Sequence, residues 1–289
     1  MRKINWYSNP FPYAIIDNFL SEDFFESLKI ELNQDINEIQ EHFQTPLESK
    51  TIYKSNARKN CSKKIIEIMG SNEIKEMISE KVGEFEIFSL GDFTSFAGYS
   101  PYHVTNNDGY LGSHIDHSSI RNGEYRHIAN TIFFASSEWG RNFGGETILF
   151  SSNGFKIKEI IEPIPNRLLV FIHTANSFHG VKPYSSSNNV ERRTFYHDYY
   201  VHESNVDQFM TNINFNRKNQ LTHSFHGTTF IPFVPFGLKL IKAKTLLNSK
   251  NLKYIPTYFI YLFNVIFKTR ITSFRDFSKS LVLKIRNFF

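Results

Sequence analysis

The chain has 289 residues, 40% of them hydrophobic, a net charge of +5 and one cysteine. Its length suits one large domain with additions, or two domains, and the lone Cys61 excludes an intrachain disulfide and fits a reducing compartment. With no run of about 18 apolar residues and no apolar stretch after the basic start, a cytoplasmic protein is expected, peripheral at the inner face of a membrane if it meets one. In chain order, Pro12 to Asp17 reads as a short strand. A helix follows from the N-cap Ser21, with Glu22 and Asp23 in its first turn, where acids favour the helix dipole. Phe24, Phe25, Leu28 and Leu32 give it an apolar stripe. Residues 62–83 read as one or two more helices on Ile65, Ile66, Ile68 and Met69, then Ile74, Met77, Ile78 and Val82.

From residue 86 the pattern changes to short apolar runs bounded by turn residues. Strands are expected near 88–98, 111–117, 126–135, 145–150, 155–162, 167–173, 178–183 and 192–201. Such a series, in a chain with 30 Phe and 14 Tyr, indicates an all-β sandwich or barrel. Residues 205–216 look helical or irregular, and Pro232 to Gly237 breaks structure before a helical tail. From Lys239 onward, eleven Lys and Arg face one acid, Asp276, which gives +10 and leaves −5 for the rest. The tail reads as a solvated face closing over the barrel, or as an interfacial segment drawn to anionic lipid or a lipid-linked substrate. No recognised module accompanies the charge, which argues against nucleic acid.

The chemistry centres on His114-Ile115-Asp116. Side chains two apart on a strand share a face, so both can reach one point inside a barrel. Alone, His-x-Asp is more often a hydrogen-bonded pair than a metal site. A second histidine, His179, lies sixty-three residues beyond Asp116 and starts another expected strand. Two imidazoles and a carboxylate form the facial triad that holds non-haem iron(II) with positions left open. Thirteen residues past His179, Arg192, Thr194 and Tyr196 share one strand face, with Arg193 on the other. Turned inward, Arg192 can fork onto a carboxylate and the Thr194 hydroxyl can assist. His173 is the competing distal ligand, but the Gly180-Val181-x-Pro183 that follows favours His179. His117 faces away from His114, and His127, His197 and Cys61 have no partner legible in the sequence.

With these residues in view, the chain resembles the iron(II)- and 2-oxoglutarate-dependent dioxygenases, in particular their prolyl 4-hydroxylase-like branch. The resemblance covers residues 88–201, with a weaker likeness at Pro10 to Tyr13 and the first helix. Its elements come in family order: His114-x-Asp116, the strand Ala129 to Phe134, Trp139, Gly144 to Phe150, Pro165 to Phe171, His179-Gly180-Val181-x-Pro183 and Arg192-x-Thr194. The resemblance implies a mainly β fold with flanking helices, a double-stranded β-helix of jelly-roll or cupin-like form. It implies Fe(II) on His114, Asp116 and His179, and 2-oxoglutarate with its C5 carboxylate on Arg192. It also implies O2 as oxidant, ascorbate as a reductant, and hydroxylation with release of succinate and CO2. Residues 1–205 would form the dioxygenase domain and 206–289 a helical basic extension.

Where some relatives place a tyrosine against 2-oxoglutarate, this chain offers Asn130, Phe133 and Phe134, of which Asn130 can substitute. The loop before Arg192 leaves Arg193 as a second choice of anchor. An intact Asp116 argues for hydroxylation over halogenation. The substrate is open among a peptidyl residue, an amino acid, a glycan and a secondary metabolite. Two other classes compete: a non-catalytic cupin-like binding protein, and a zinc hydrolase on the same ligands.

Overall fold

The computed structural model describes residues 4–34, 40–44, 48–53, 60–93, 101–116, 119–152, 154, 156–174, 176–187, 190–213 and 229–231. The expected helical tail, the Pro232 to Gly237 break and His117 lie outside them. The strands are β1 (Trp6–Tyr7), β2 (Tyr13–Ile16), β3 (Gln40–Gln44), β4 (Glu48–Tyr53), β5 (Phe88–Ser89), β6 (Tyr102–Thr105), β7 (Tyr110–Ile115) and β8 (Ser119–Ile120). They continue with β9 (Tyr125–Phe134), β10 (Thr147–Phe150), β11 (Ile157–Ile161), β12 (Arg167–Ile172), β13 (His179–Val181), β14 (Arg192–His202) and β15 (Thr229–Ile231). The helices are α1 (Glu22–Leu32), α2 (Asn60–Met69), α3 (Asn72–Val82) and α4 (Val206–Asn212).

The strand order β1-β2-β12-β9-β14-β6-β4-β7-β13-β10-β11 is antiparallel throughout and folds back on itself. Its two halves are a major sheet, β12-β9-β14-β6 extended by β2, and a minor sheet, β7-β13-β10-β11. The strand β4 joins them by pairing with both β6 and β7. This is a double-stranded β-helix, the expected fold. Seven of the eight expected strands have counterparts in the barrel. The exception is 88–98, of which Phe88–Ser89 is a two-residue strand running into a 3-10 turn. The first barrel strand is instead β6, whose four residues carry too short an alternation to read from sequence.

Register decides what each face of the major sheet does, since directly opposed residues share a face. Outward rows run Leu168–Phe133–Phe195–Tyr102 and Val170–Thr131–His197. They are covered by α1 through Phe25 and Leu28, α2 through Ile65 and Met69, α3 through Ile74 and Ile78, and α4 through Val206 and Phe209, in one apolar cluster. The helix stripes read from sequence therefore meet the sheet. Ser21 sits at the α1 N-cap without a side-chain cap bond. Glu31, on the last turn of α1, is buried and accepts from Cys61 N (2.8 Å), Ser62 N (2.7 Å) and Ser62 Oγ (2.6 Å). A carboxylate on the orphan amides of an α2 N-terminus complements its dipole and ties two helices together. Inward rows run Leu169–Ile132–Tyr196 and Phe171–Asn130–Asp198, with Phe134–Thr194–His103 beyond them. These face the minor sheet and the site.

Candidate metal centre and cosubstrate pocket

His114 and His179 are directly paired across β7 and β13, so the ladder sets their rings side by side at 4.2 Å between centroids. Such close strands need Gly180, because a Cβ there would meet the Leu111 carbonyl oxygen at 2.7 Å. Asp116 lies one residue beyond the end of β7 and still turns its carboxylate between the rings. Its Oδ1 is 3.4 Å from His114 Nε2 and its Oδ2 is 3.3 Å from His179 Nε2. One ligand atom from each of the three residues lies within 4.8 Å of the others. The two histidines are buried and Asp116 is partly open, with 23% of its side chain exposed, so the cluster has a single accessible lip.

The tautomers are set by the backbone. His114 Nδ1 donates to the Gly112 carbonyl (2.8 Å) and His179 Nδ1 to the Ser177 carbonyl (3.0 Å). A carbonyl only accepts, so each Nδ1 carries the proton and each Nε2 points a lone pair at the carboxylate. Three acceptors converging on one point repel unless a positive charge sits between them. The donor set therefore fits a divalent cation. Burial, then the neighbouring His179 ring, pushes His114 below its ordinary value against the pull of Asp116, which favours the neutral ligand form. Burial would lift the Asp116 carboxyl, but with the rings protonated and donating, His179 first and then His114 outweigh burial and hold the group well below the usual carboxylate range.

Arg192 enters the barrel from the start of β14 and is 2% exposed. Its Nε donates to the Gly145 carbonyl (2.7 Å), its Nη2 to Thr147 Oγ1 (3.2 Å), and its guanidinium carbon lies 5.4 Å from the centre of the Phe134 ring. Gly145, at φ +74°, makes the room: a Cβ there would meet Arg192 Cδ at 2.9 Å. Burial lowers the guanidinium pKa, and the hydrogen-bonded Tyr196 hydroxyl is the largest influence opposing it. No carboxylate lies within ion-pair distance of Arg192 among the described residues. Burial of a cation is unfavourable unless an anion or hydrogen-bonding partner compensates it, so this position is suited to receive an anion. Arg193 points outward and is occupied by Glu191 (3.0 Å) and by Asn33, the C-cap of α1 (2.7 Å). Thr194 is buried beside Arg192, with its hydroxyl donating to the His103 carbonyl at 3.4 Å.

Asn130 stands elsewhere than the sequence suggested. Its amide nitrogen lies beside the His114, Asp116 and His179 cluster, 3.2 Å from Asp116 Oδ2 and 3.0 Å from Asp198 Oδ1, not in the Arg192 row. Asp198 itself was missed, although extending the Arg192, Thr194, Tyr196 alternation by one step reaches it. His173 does not join the cluster. Its ring stacks on His127 at 4.1 Å and its Nδ1 meets the His127 carbonyl at 3.3 Å. Trp139 donates to the Gly144 carbonyl at 2.8 Å and so braces the turn that carries Gly145.

Fold and site thus define a double-stranded β-helix with a His-Asp-His cluster on its inner face. Residues 97–200 match the family model of the 2OG-Fe(II) oxygenase superfamily. Among solved structures, a prolyl 4-hydroxylase from Pseudomonas putida is 14% identical over 66% of this chain and 92% of that one, at a TM-score of 0.45. A prolyl hydroxylase from Trichoplax adhaerens, in complex with a hypoxia inducible factor peptide fragment, is 19% identical over 66% and 84%, at 0.46. HygX from Streptomyces hygroscopicus, with nickel and 2-oxoglutarate bound, is 12% identical over 66% and 82%, at 0.45. Likeness this distant transfers nothing from those proteins to this chain. No curated protein matches it significantly. Among the described residues, no helix is long and apolar enough to cross a membrane.

Proposed function

We propose that this chain is an Fe(II)- and 2-oxoglutarate-dependent hydroxylase, with His114, Asp116 and His179 as the iron ligands and Arg192 as the anchor of the cosubstrate's distal carboxylate. The observation that carries the reading is the pairing of a three-acceptor cluster with a buried guanidinium on the same inner face that has no carboxylate within ion-pair distance among the described residues. When bound, iron and 2-oxoglutarate supply activation of O2, with the cosubstrate split to succinate and CO2 as the substrate is oxidised. The chain's own part is orientation and exclusion of water. Gly112 and Ser177 fix the two imidazole tautomers. Asp116 offsets one positive charge of the metal. Arg192, aimed by Gly145 and Thr147, selects a dicarboxylate of the right length, and Thr194 retains an acceptor beside it. Phe134, Phe171 and Ile132 line the same wall and keep the site dry. The substrate would be a hydrogen-bonding molecule such as a peptide, amino acid, glycan or secondary metabolite. A zinc hydrolase or a non-catalytic binding barrel would share the three ligands, but neither would have a use for Arg192.

The test is succinate formation dependent on Fe(II) and 2-oxoglutarate, scored against pools of peptides, amino acids and glycans. His114→Ala and His179→Ala should each reduce it by more than the roughly 100-fold that loss of a group merely supporting a ligand can reach. Intact turnover in both variants would sink the assignment.

A further inference from the structure

Asn130 presents a puzzle that packing does not answer. It is 2% exposed, and its Nδ2 sits between two carboxylates, Asp116 Oδ2 at 3.2 Å and Asp198 Oδ1 at 3.0 Å. Its Oδ1 is buried and has no hydrogen-bond partner among the described residues. Turning the amide over would aim that oxygen at two anions, so the observed orientation is the only acceptable one. An unpaired buried acceptor is destabilising. A side chain that leaves one end unpaired in order to hold the other end between two carboxylates serves those carboxylates.

We propose that Asn130 is a positioning residue: oriented by Asp198, it claims the Oδ2 atom of Asp116 and leaves Oδ1 as the oxygen offered to the metal. This rests on the metal assignment above. The consequence is an open coordination position, because a carboxylate free to turn can offer both oxygens and occupy the place a chelating cosubstrate needs. Three elements make the hold stiff. Asn130 and Asp198 are direct cross-strand partners on β9 and β14, and Phe171 of β12 flanks Asn130 on the other side. Tyr200 hydrogen-bonds Asp198, and His127 Nε2 lies 3.7 Å from the same Asp198 oxygen that accepts from Asn130. Because β14 also carries Arg192, the strand that would anchor the cosubstrate also orients the amide that restrains the ligand. Both ends of the site are thereby keyed to one strand.

The experiment uses the full chain loaded with Co(II) in place of iron, reading metal affinity and the visible Co(II) absorption, then titrating 2-oxoglutarate. Asn130→Leu keeps the side chain's size and removes the donor. It should weaken Co(II) binding about 10–100-fold, the range typical for lost support of a metal ligand, and change the spectrum of the Co(II) that does bind. Binding of 2-oxoglutarate to the Co(II) form should fall as well. A purely structural role would lower the melting temperature and leave the bound-metal spectrum alone. Asp198→Ala should shift the same readings in the same direction by less, and it carries the test if Asn130→Leu does not fold. Wild-type affinity and spectrum in the folded variant would overturn the inference while leaving the metal assignment standing. Failure of the unmutated chain to bind Co(II) would overturn both.

Discussion

Along β9 the residues Ala129, Thr131 and Phe133 face out while Asn130, Ile132 and Phe134 face in, and the two sets answer to different demands. The outward set joins helices α1 to α4 in an apolar cluster, in which Phe133 is fully buried between the rings of Phe19 (5.9 Å) and Phe25 (6.0 Å). Its partners are interchangeable in kind, since any well-packed apolar surface would do. The inward set lies among His114, His179, Arg192 and Asp198, polar groups whose burial is unfavourable unless each meets a specific partner. One face is held by area and the other by geometry. Stability and chemistry should therefore separate by strand parity.

The largest expected effect falls on the outward face. Phe133→Ala should lose about 3–5 kcal/mol in denaturant unfolding, with Co(II) affinity of the folded fraction unchanged. A matching loss of metal affinity would show that the faces are not separable. Next in size is the acid response of His197, an outward histidine whose burial drops its pKa from 6.5 to about 3. Below pH 6.5 the unfolded chain binds a proton there that the folded chain refuses, so stability falls with pH until the folded group titrates near pH 3. The slope from this one group is about 1.4 kcal/mol per pH unit. Urea melts across pH 4 to 6.5 should be flatter by about that amount in His197→Gln than in the unmutated chain, and equal slopes would refute this origin. The smallest effect is inward. Arg192→Lys keeps the charge and loses the fork, so the 2-oxoglutarate affinity of the Co(II) form should fall about tenfold, ~1.4 kcal/mol, with the melting temperature little moved. Equal affinity would mean that Arg192 does not hold the dicarboxylate.

The same division explains what the sequence disclosed. Stripes such as Ile74, Met77, Ile78 and Val82 announced the helices because an apolar face repeats at the helical period. Turn residues such as Asn122-Gly123 and Pro165-Asn166 marked off the barrel strands. His114, Asp116, His179 and Arg192 stood out through spacing and order. The strands β3 and β4 did not, because Gln40–Gln44 and Glu48–Tyr53 are polar, and their pairing is visible only once β6 and β7 are placed. The burial of Glu31 has no local signal, since nothing near it in sequence says that α2 begins against it. The true position of Asn130 depends on a cross-strand register that no local pattern encodes, whereas Asp198 lay one step along the alternation of Arg192, Thr194 and Tyr196. Arg192 and Arg193 were separable in parity but not in sign, and the burial of Arg192 with the contact of Arg193 on Asn33, the C-cap of α1, shows which one faces out.

The pairing of His179 with His114 across one ladder bears on how this framework could diversify. Because backbone bonds between β7 and β13 set the distance between the two rings, and β10 braces β13 from its other side, the turns in the stretch between them take no direct part in holding that distance. Turns within it could lengthen, shorten or exchange without moving either imidazole, provided the strands stay in step, and each added loop residue would carry only a small entropic penalty. Variation in the mouth is thus uncoupled from the reactive centre. Descendants of such a chain could adopt new substrates by trading rim segments while inheriting the same buried centre unaltered.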